Sequence, residues 1–327
     1  MSRKHRCIDV HHHIFPATLR KAAQSESVGF RTPPENLPWS PEVSLEAMDA
    51  LGVDMAVLSL PAGVPSGPIG PANRAAAREL NVTAARICQK YPGRFAFFAC
   101  LPIPSDTDAA LQELAYAIDE LHAQGVALAS SYGDGADATY IGDDRYDPVW
   151  EELDRRGTVV FLHGAQIPSS TPYPHSSLGI PITEVPNETY KAAAHLVVSG
   201  KKRRYPNTKI ILAHLGGSTL SLAPRVAVLS RHMGCSLMPE EILEDFKSFY
   251  YDTALSAHQT TLAAAEHFID RNRILFGTDF PAVSKDMAGW FTRNVEDFYA
   301  ADQEQLIDVL SGNAVKLMPS LALSESS

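Results

Sequence analysis

The stretch Ile8-Asp9-Val10-His11-His12-His13 decides how the rest of the chain is read. A short apolar-leaning run, Cys7 to Val10, leads directly into three imidazoles. In an extended chain alternate side chains point the same way, so His11 and His13 share a face and His12 points to the other. Two imidazoles converging from one strand end are half of a metal site. The other half has to come from later strands, whose ends must meet this one.

From here on, short β-rich runs alternate with helical patterns, the order expected of a parallel sheet with crossover helices. The spacing predicts strands over 55–60, 95–100, 126–130, 159–163, 209–214, 249–252 and 273–279. Helices are predicted over 43–51, 73–90, 109–123, 148–156 and 188–199, several of them closed by glycine. The fifth strand, Val159-Val160-Phe161-Leu162-His163, is a buried-type run ending in histidine. The sixth repeats that arrangement into His214, and the eighth ends in Asp279. Eight strands with polar groups at the carboxyl ends of the first, fifth, sixth and eighth are expected of a single (β/α)8 TIM barrel, which gathers its chemistry at that rim. Such a barrel needs about 250 residues plus insertions, which accounts for a chain of 327. The barrel domain is placed at 1–319, with insertions over the mouth at about 14–42 and 164–187 and a flexible Ser-rich tail at 320–327.

A composition of 45% hydrophobic and 20% charged residues is that of a soluble globular protein. No run approaches the roughly 18 apolar residues that cross a bilayer, and the basic start, Met1 to Arg6, leads into too few apolar residues for a signal peptide. Four scattered cysteines show no CxxC spacing, so neither a disulfide framework nor a thiolate zinc site is expected, and a cytoplasmic location fits. A net charge of −10 without a basic stripe argues against nucleic acid as a partner. The one dense basic run, Lys201-Lys202-Arg203-Arg204, reads as the solvated end of a helix.

A single histidine at a strand end is more often a core or loop residue than a ligand. Four coincidences of residue type and position on one rim reverse that preference. His11, His13, His163 and Asp279 make a three-nitrogen, one-oxygen set for one divalent metal, with zinc favoured, manganese or iron acceptable, and an open position for water or substrate. His214 stands beside this set as proton donor, acceptor or orienter. It would be a fifth ligand in a two-metal site, but the bridging carboxylated lysine expected near strand four has no counterpart in Val126-Ala-Leu-Ala-Ser-Ser-Tyr132. His12 is read as structural, His175 as either lining the mouth or exposed, and His195, His232, His258 and His267 as packing residues.

The ordered set Ile8-Asp-Val-His-His-His13, Trp39 to Val53, Val160-Phe-Leu-His163, Pro186-Asn-Glu-Thr189, Tyr205 to Gly217 and Leu275-Phe-Gly-Thr-Asp-Phe-Pro281 resembles the amidohydrolase superfamily. Within it the chain looks like the decarboxylating branch typified by 2-amino-3-carboxymuconate-6-semialdehyde decarboxylase. That resemblance implies His11, His13, His163 and Asp279 as metal ligands and His214 as the catalytic histidine. It also implies two substrate-carboxylate arginines, matched by Arg31 in the first insertion and by Arg225, the latter reaching the neighbouring active site of a homodimer. Histidine in place of glutamate at position 11 puts the chain nearest the 6-methylsalicylate decarboxylases, and Leu215 departs from the common His-Gly-Gly-Gly. The implied reaction is nonoxidative loss of carbon dioxide from a small aromatic carboxylic acid, an ortho-hydroxybenzoate, with Asp279 protonating the ring carbon and His214 orienting or shuttling. Substrate selection is expected around Phe280, Ala282 and Trp290. The same barrel also supports hydrolysis of a lactone or amide by an activated water.

Overall fold

The computed structural model describes residues 5–16, 32–65, 67–133, 138–166, 175 and 177–322. Short runs of apolar and β-branched residues form eight barrel strands: β1 (Ile8–His13), β2 (Met55–Ser59), β3 (Phe95–Cys100), β4 (Gly125–Ala129), β5 (Val159–His163), β6 (Lys209–Leu212), β7 (Tyr250–Asp252) and β8 (Ile274–Leu275). They pair in chain order and all in parallel. The last strand then returns to the first. Val10 N donates to Phe276 O at 3.0 Å and Asp279 N donates to His11 O at 2.8 Å, which closes the sheet on itself. The connecting helices lie outside, giving the expected (β/α)8 barrel.

Those helices start and stop where local chemistry allows. α1 (Pro41–Leu51) has proline in its first turn and ends on Gly52 in the left-handed region (φ 68°). α2 (Pro71–Lys90), α3 (Thr107–Asp119) and α4 (Asp147–Arg156) follow. α5 spans Ile180–Val198, eight residues earlier than the predicted start at 188. The stretch up to Pro186 reads in sequence as connection, and Pro186 itself has no N–H to give to Ile182 O. The helix nevertheless runs on through Pro186, and just around it Asn187 Nδ2 donates to Thr183 O and Thr189 Oγ1 to Val185 O. α6 (Thr219–His232), α7 (Pro239–Lys247), α8 (Gln259–Phe268) and α9 (Lys285–Phe298) complete the ring.

Strand alternation sorts the core into two shells. Val10, Val57, Phe98, Phe161, Ile211 and Leu275 pack inside the barrel, whereas Phe97, Leu128, Leu162 and Leu212 pack outward with helical residues. Ala314, Met318 and Leu321 belong to the inner shell. Leu321 is buried and its carbonyl accepts from Arg6, so the packed fold runs beyond residue 319, into what was expected to be tail. Residues 323–327 of that tail lie outside the described residues. The basic run also differs from expectation. Lys201 is 1% exposed and paired with Asp144 and Asp147, Arg204 pairs with Asp147, and Arg203 pairs with Glu241 and Asp245. Three of the run's four cations are therefore held in ion pairs.

One irregularity bears on the site. The register of β1 against β2 shifts between Asp9 and His12. Ile8 and Val10 face the inner shell, yet His11 and His13 also point inward, so the inward phase advances by one residue at this shift.

Candidate active site

At the carboxyl end of the barrel, β1 delivers two imidazoles to one point. His11 Nε2 and His13 Nε2 are 3.2 Å apart, and Asp279 Oδ1 lies 3.4 Å from the first and 2.9 Å from the second. His163, ending β5, adds its ring, and the ligand atoms of His11, His13 and His163 all fall within 4.8 Å of one another. These separations suit a shared ion, because donors about 2.0–2.1 Å from a tetrahedral metal sit roughly 3.3 Å apart. His163 Nε2 is buried with no hydrogen-bond partner. A buried polar nitrogen without a partner costs about 1–3 kcal/mol, a cost that metal ligation removes.

Each ring is held by its other nitrogen. His11 Nδ1 meets Asp252 Oδ2 at 3.0 Å, His13 Nδ1 meets Ser59 Oγ at 3.1 Å, and His163 Nδ1 donates to Gly164 O at 2.9 Å. Second-nitrogen partners of this kind fix ring orientation and present Nε2 as the ligating lone pair. Asp252 also accepts from the backbone amides of His214 and Ala254. It therefore stands behind His11, although a second grouping of His11, His214 and Asp252 also lies within 4.8 Å. Sequence reasoning missed Asp252, even though a carboxylate ending the apolar strand β7 is the signal that identified Asp279.

His214 follows β6. Its Nδ1 lies 3.0 Å from Ala254 O, a carbonyl that can only accept, so Nδ1 carries the hydrogen and Nε2 keeps a lone pair. Four non-glycine residues here have left-handed backbones: buried His214 (φ 58°), Leu215 (51°) and Asp279 (62°), and partly exposed Leu255 (51°). Each costs roughly 1–2 kcal/mol, strain of the kind that gathers at functional sites. Gly217 and Gly164 let α5 approach. A Cβ on Gly217 would come 1.9 Å from Pro186 O, and one on Gly164 1.9 Å from Val185 O.

The electrostatics are those of a cation site. Burial opposes charge on His11, but Asp252 on one side and Asp279 on the other hold its pKa up to about 10. Burial, then the charge at His11, push His163 and His214 below the ordinary histidine value. Asp279 is held well below the carboxylate range, burial notwithstanding, by His11 and His13. Without metal, a proton on His11 does the neutralising.

Above this floor lies a cavity of about 290 Å³. His13, His163, His214 and Asp279 form its base, while Leu255, Ile182, Val185, Val283, Met287 and Phe291 make an apolar wall. Gln166 and Ser256 are the neutral polar side chains of the lining, and no lysine or arginine is among the described lining residues.

Other sequence-predicted residues fall elsewhere. Phe280 is 1% exposed and packs on His12, with ring centroids 5.4 Å apart, so its neighbours Ala282 and Val283 line the cavity in its place. Its carbonyl pairs with His13 N across the barrel seam, and that turns the ring away from the mouth. Trp290 stacks on His258 and stays outside the lining, and His175 is exposed. His195 packs against Gly142, where a Cβ would come 2.8 Å from its ring. Arg225 is exposed on α6. Arg31 lies outside the described residues.

A fold and rim of this kind define a barrel hydrolase or lyase. The chain belongs to the amidohydrolase family, whose model matches residues 8–319. It is 38% identical to a 6-methylsalicylic acid decarboxylase of Aspergillus aculeatus over 98% of both chains. Identity to a 6-methylsalicylic acid decarboxylase of Penicillium expansum is 37% over 96% of both. Among solved structures, a dihydroxybenzoic acid decarboxylase from Polaromonas sp. JS666, with bound manganese and the inhibitor 2-nitroresorcinol, superposes with a TM-score of 0.79 at 26% identity. That match covers 96% of this chain and 97% of the other.

Proposed function

We propose that this chain is a divalent-metal-dependent, nonoxidative decarboxylase of an ortho-hydroxybenzoate, with 6-methylsalicylate as substrate and 3-methylphenol and carbon dioxide as products. The observation that carries the reading is the convergence of three imidazoles and one carboxylate at the floor of a small cavity whose wall is mainly apolar. His11, His13, His163 and Asp279 are the ligands. Three nitrogens and one oxygen favour zinc and accept manganese, the ion in the Polaromonas relative.

Loss of carbon dioxide leaves an aryl carbanion unless the ring carbon gains a proton, so the site has to deliver one. A bound divalent ion supplies Lewis-acid anchoring for the substrate's carboxylate and ortho oxygen. With no described cation in the lining, the substrate's negative charge has no other partner there. Asp279, ionised at rest at the edge of the cavity, receives by way of His214 the proton of the ortho hydroxyl and delivers it to the carbon bearing the carboxylate, and the product phenolate regains a proton from solvent. His214, with Nδ1–H turned to Ala254 O, offers Nε2 as acceptor for the ortho hydroxyl and so orients the ring and shuttles its proton. The apolar wall receives the 6-methyl group. Arg225, exposed on α6, serves the neighbouring subunit of a homodimer by neutralising carboxylate charge at its mouth.

The test is product analysis with metal-loaded protein and 6-methylsalicylate. Carbon dioxide and 3-methylphenol in equal amounts are expected. Cleavage of a lactone or amide, with no carbon dioxide from any hydroxybenzoate, would replace this reading with hydrolysis.

A further inference from the structure

The shift in β1 that turns both Val10 and His11 inward takes the His11 amide out of the regular ladder. Asp9 Oδ1 accepts that amide at 3.0 Å. The same oxygen accepts Thr278 N at 3.1 Å, and Asp9 Oδ2 accepts Thr278 Oγ1 at 2.5 Å. One carboxylate therefore bridges the barrel seam, gripping the residue that precedes Asp279 on one side and His11 itself on the other. Asp9 is 0% exposed, so its grip depends entirely on donors inside the protein.

The fourth donor is His12. Its Nδ1 lies 3.0 Å from Asp9 Oδ2, and its Nε2 lies 2.9 Å from Ser44 Oγ on α1. Trp39 Nε1 also donates to Ser44 Oγ at 2.9 Å. A carboxylate oxygen only accepts, so His12 Nδ1 carries the hydrogen towards Asp9; Nε2 of the neutral ring is then an acceptor, and Ser44 Oγ, which accepts from Trp39, donates to it. The His12 Nδ1–H is thereby committed to Asp9. The run Trp39, Ser44, His12, Asp9, Thr278 passes behind the cavity and reaches it only through the backbones that carry the ligands. Its Asp–His–Ser order is that of a nucleophilic triad, but Ser44 is 0% exposed and already used as an acceptor, so it cannot reach a substrate.

We propose that His12, acting through Asp9, is a positioning residue for the metal site: it fixes the carboxylate that sets the His11 and Asp279 backbones across the seam. This rests on the reading of His11, His13, His163 and Asp279 as ligands. Outer partners of metal ligands typically carry about 10–100-fold of metal affinity.

The experiment titrates manganese ion into the metal-free full-length protein by calorimetry, for wild type, His12→Asn, His12→Gln and Ser44→Ala. An asparagine amide reproduces the Nδ1–H donor to Asp9, whereas a glutamine amide reaches Ser44 and releases Asp9. Expected is affinity within about threefold of wild type for His12→Asn and a loss of about 10–100-fold for His12→Gln. Ser44→Ala, which keeps His12, loses about threefold and guards against a misfolded His12 variant. If packing alone mattered, glutamine, nearer to histidine in volume, would bind at least as well as asparagine, and that order overturns the inference. Equal affinity in all four proteins overturns it as well. A wild type that binds no manganese and no zinc overturns the ligand reading instead.

Discussion

The base of the cavity and its wall are built on opposite principles. At the base each imidazole is anchored through its Nδ1, His11 by Asp252, His13 by Ser59, His163 by Gly164 O and His214 by Ala254 O, and His214 and Asp279 sit on left-handed backbones. The wall is made of side chains from α5, α9 and the loops, where Ile182, Val283, Met287 and Phe291 make only apolar contacts with the cavity. An over-determined base tolerates no intermediate state, so its changes should act as switches. A wall held by dispersion and area should respond in proportion to the atoms removed.

The sharpest way to break this contrast is at the base, by separating ligand from catalyst. His214→Ala should hold one metal per chain, because its ring is tied to Ala254 and lies outside the proposed ligand set. Its kcat for carbon dioxide release should drop by about 10²–10⁴, the range of a positioned acid or base. Metal analysis beside a turnover assay checks both halves. Metal loss in this variant would move His214 into the ligand set and revive the grouping with His11 and Asp252.

A second prediction uses the charge of the base. Without metal, His11 is held up to about 10 by Asp252 and Asp279, so it is protonated at neutral pH. Binding at His11 Nε2 must expel that proton. Apparent metal affinity should therefore rise about tenfold per pH unit from pH 6 to 9 and level off near 10. The same proton stabilises the metal-free fold fully below the ordinary histidine value of 6.5, and that contribution is lost as pH rises through about 10. Calorimetry in two buffers of different ionisation enthalpy counts the protons released. None released at pH 7.5 would remove His11 from the ligand set.

How far this base was legible from residues alone follows from the same contrast. Apolar runs ending in His163, His214 and Asp279 stand out because parallel barrel strands are buried on both faces, which makes the polar terminus conspicuous. The separation of His11 and His13 from His12 follows from strand alternation. The register shift at Asp9 does not, because it exists only once β1 is paired, and neither do the left-handed backbones of His214 and Asp279, which glycine would have advertised. Phe280 was misplaced for that reason: the turn at Asp279 sends its ring to His12. α5 is predicted to start late because the Ser- and Pro-rich stretch up to Pro186 reads as connection, whereas the helix already runs from Ile180 and passes through Pro186.

The wall gives a smaller and graded effect. Leu255→Ala keeps a side chain on the left-handed backbone and removes apolar volume beside Ala254, without touching its carbonyl. For 6-methylsalicylate kcat/KM should fall about 10-fold, in line with roughly 1–3 kcal/mol for methylene-sized changes in a pocket. The loss should appear mainly in KM with metal content unchanged. A large loss of kcat instead would show that the wall, through Ala254, is part of the base.

The smallest effect is expected farthest out. Arg225 is exposed on α6 and makes no hydrogen bond or ion pair with the described residues of its own chain. The role proposed for it requires a second subunit that brings a cavity to it. Sedimentation should then give a dimer. Arg225→Ala should raise KM by about fivefold and leave kcat unchanged, since a rim charge contributes about 1 kcal/mol and is weakened by salt. The KM effect should accordingly shrink at high ionic strength. A monomer whose KM ignores both the substitution and the salt would remove Arg225 from the mechanism and leave recognition of the carboxylate to the base.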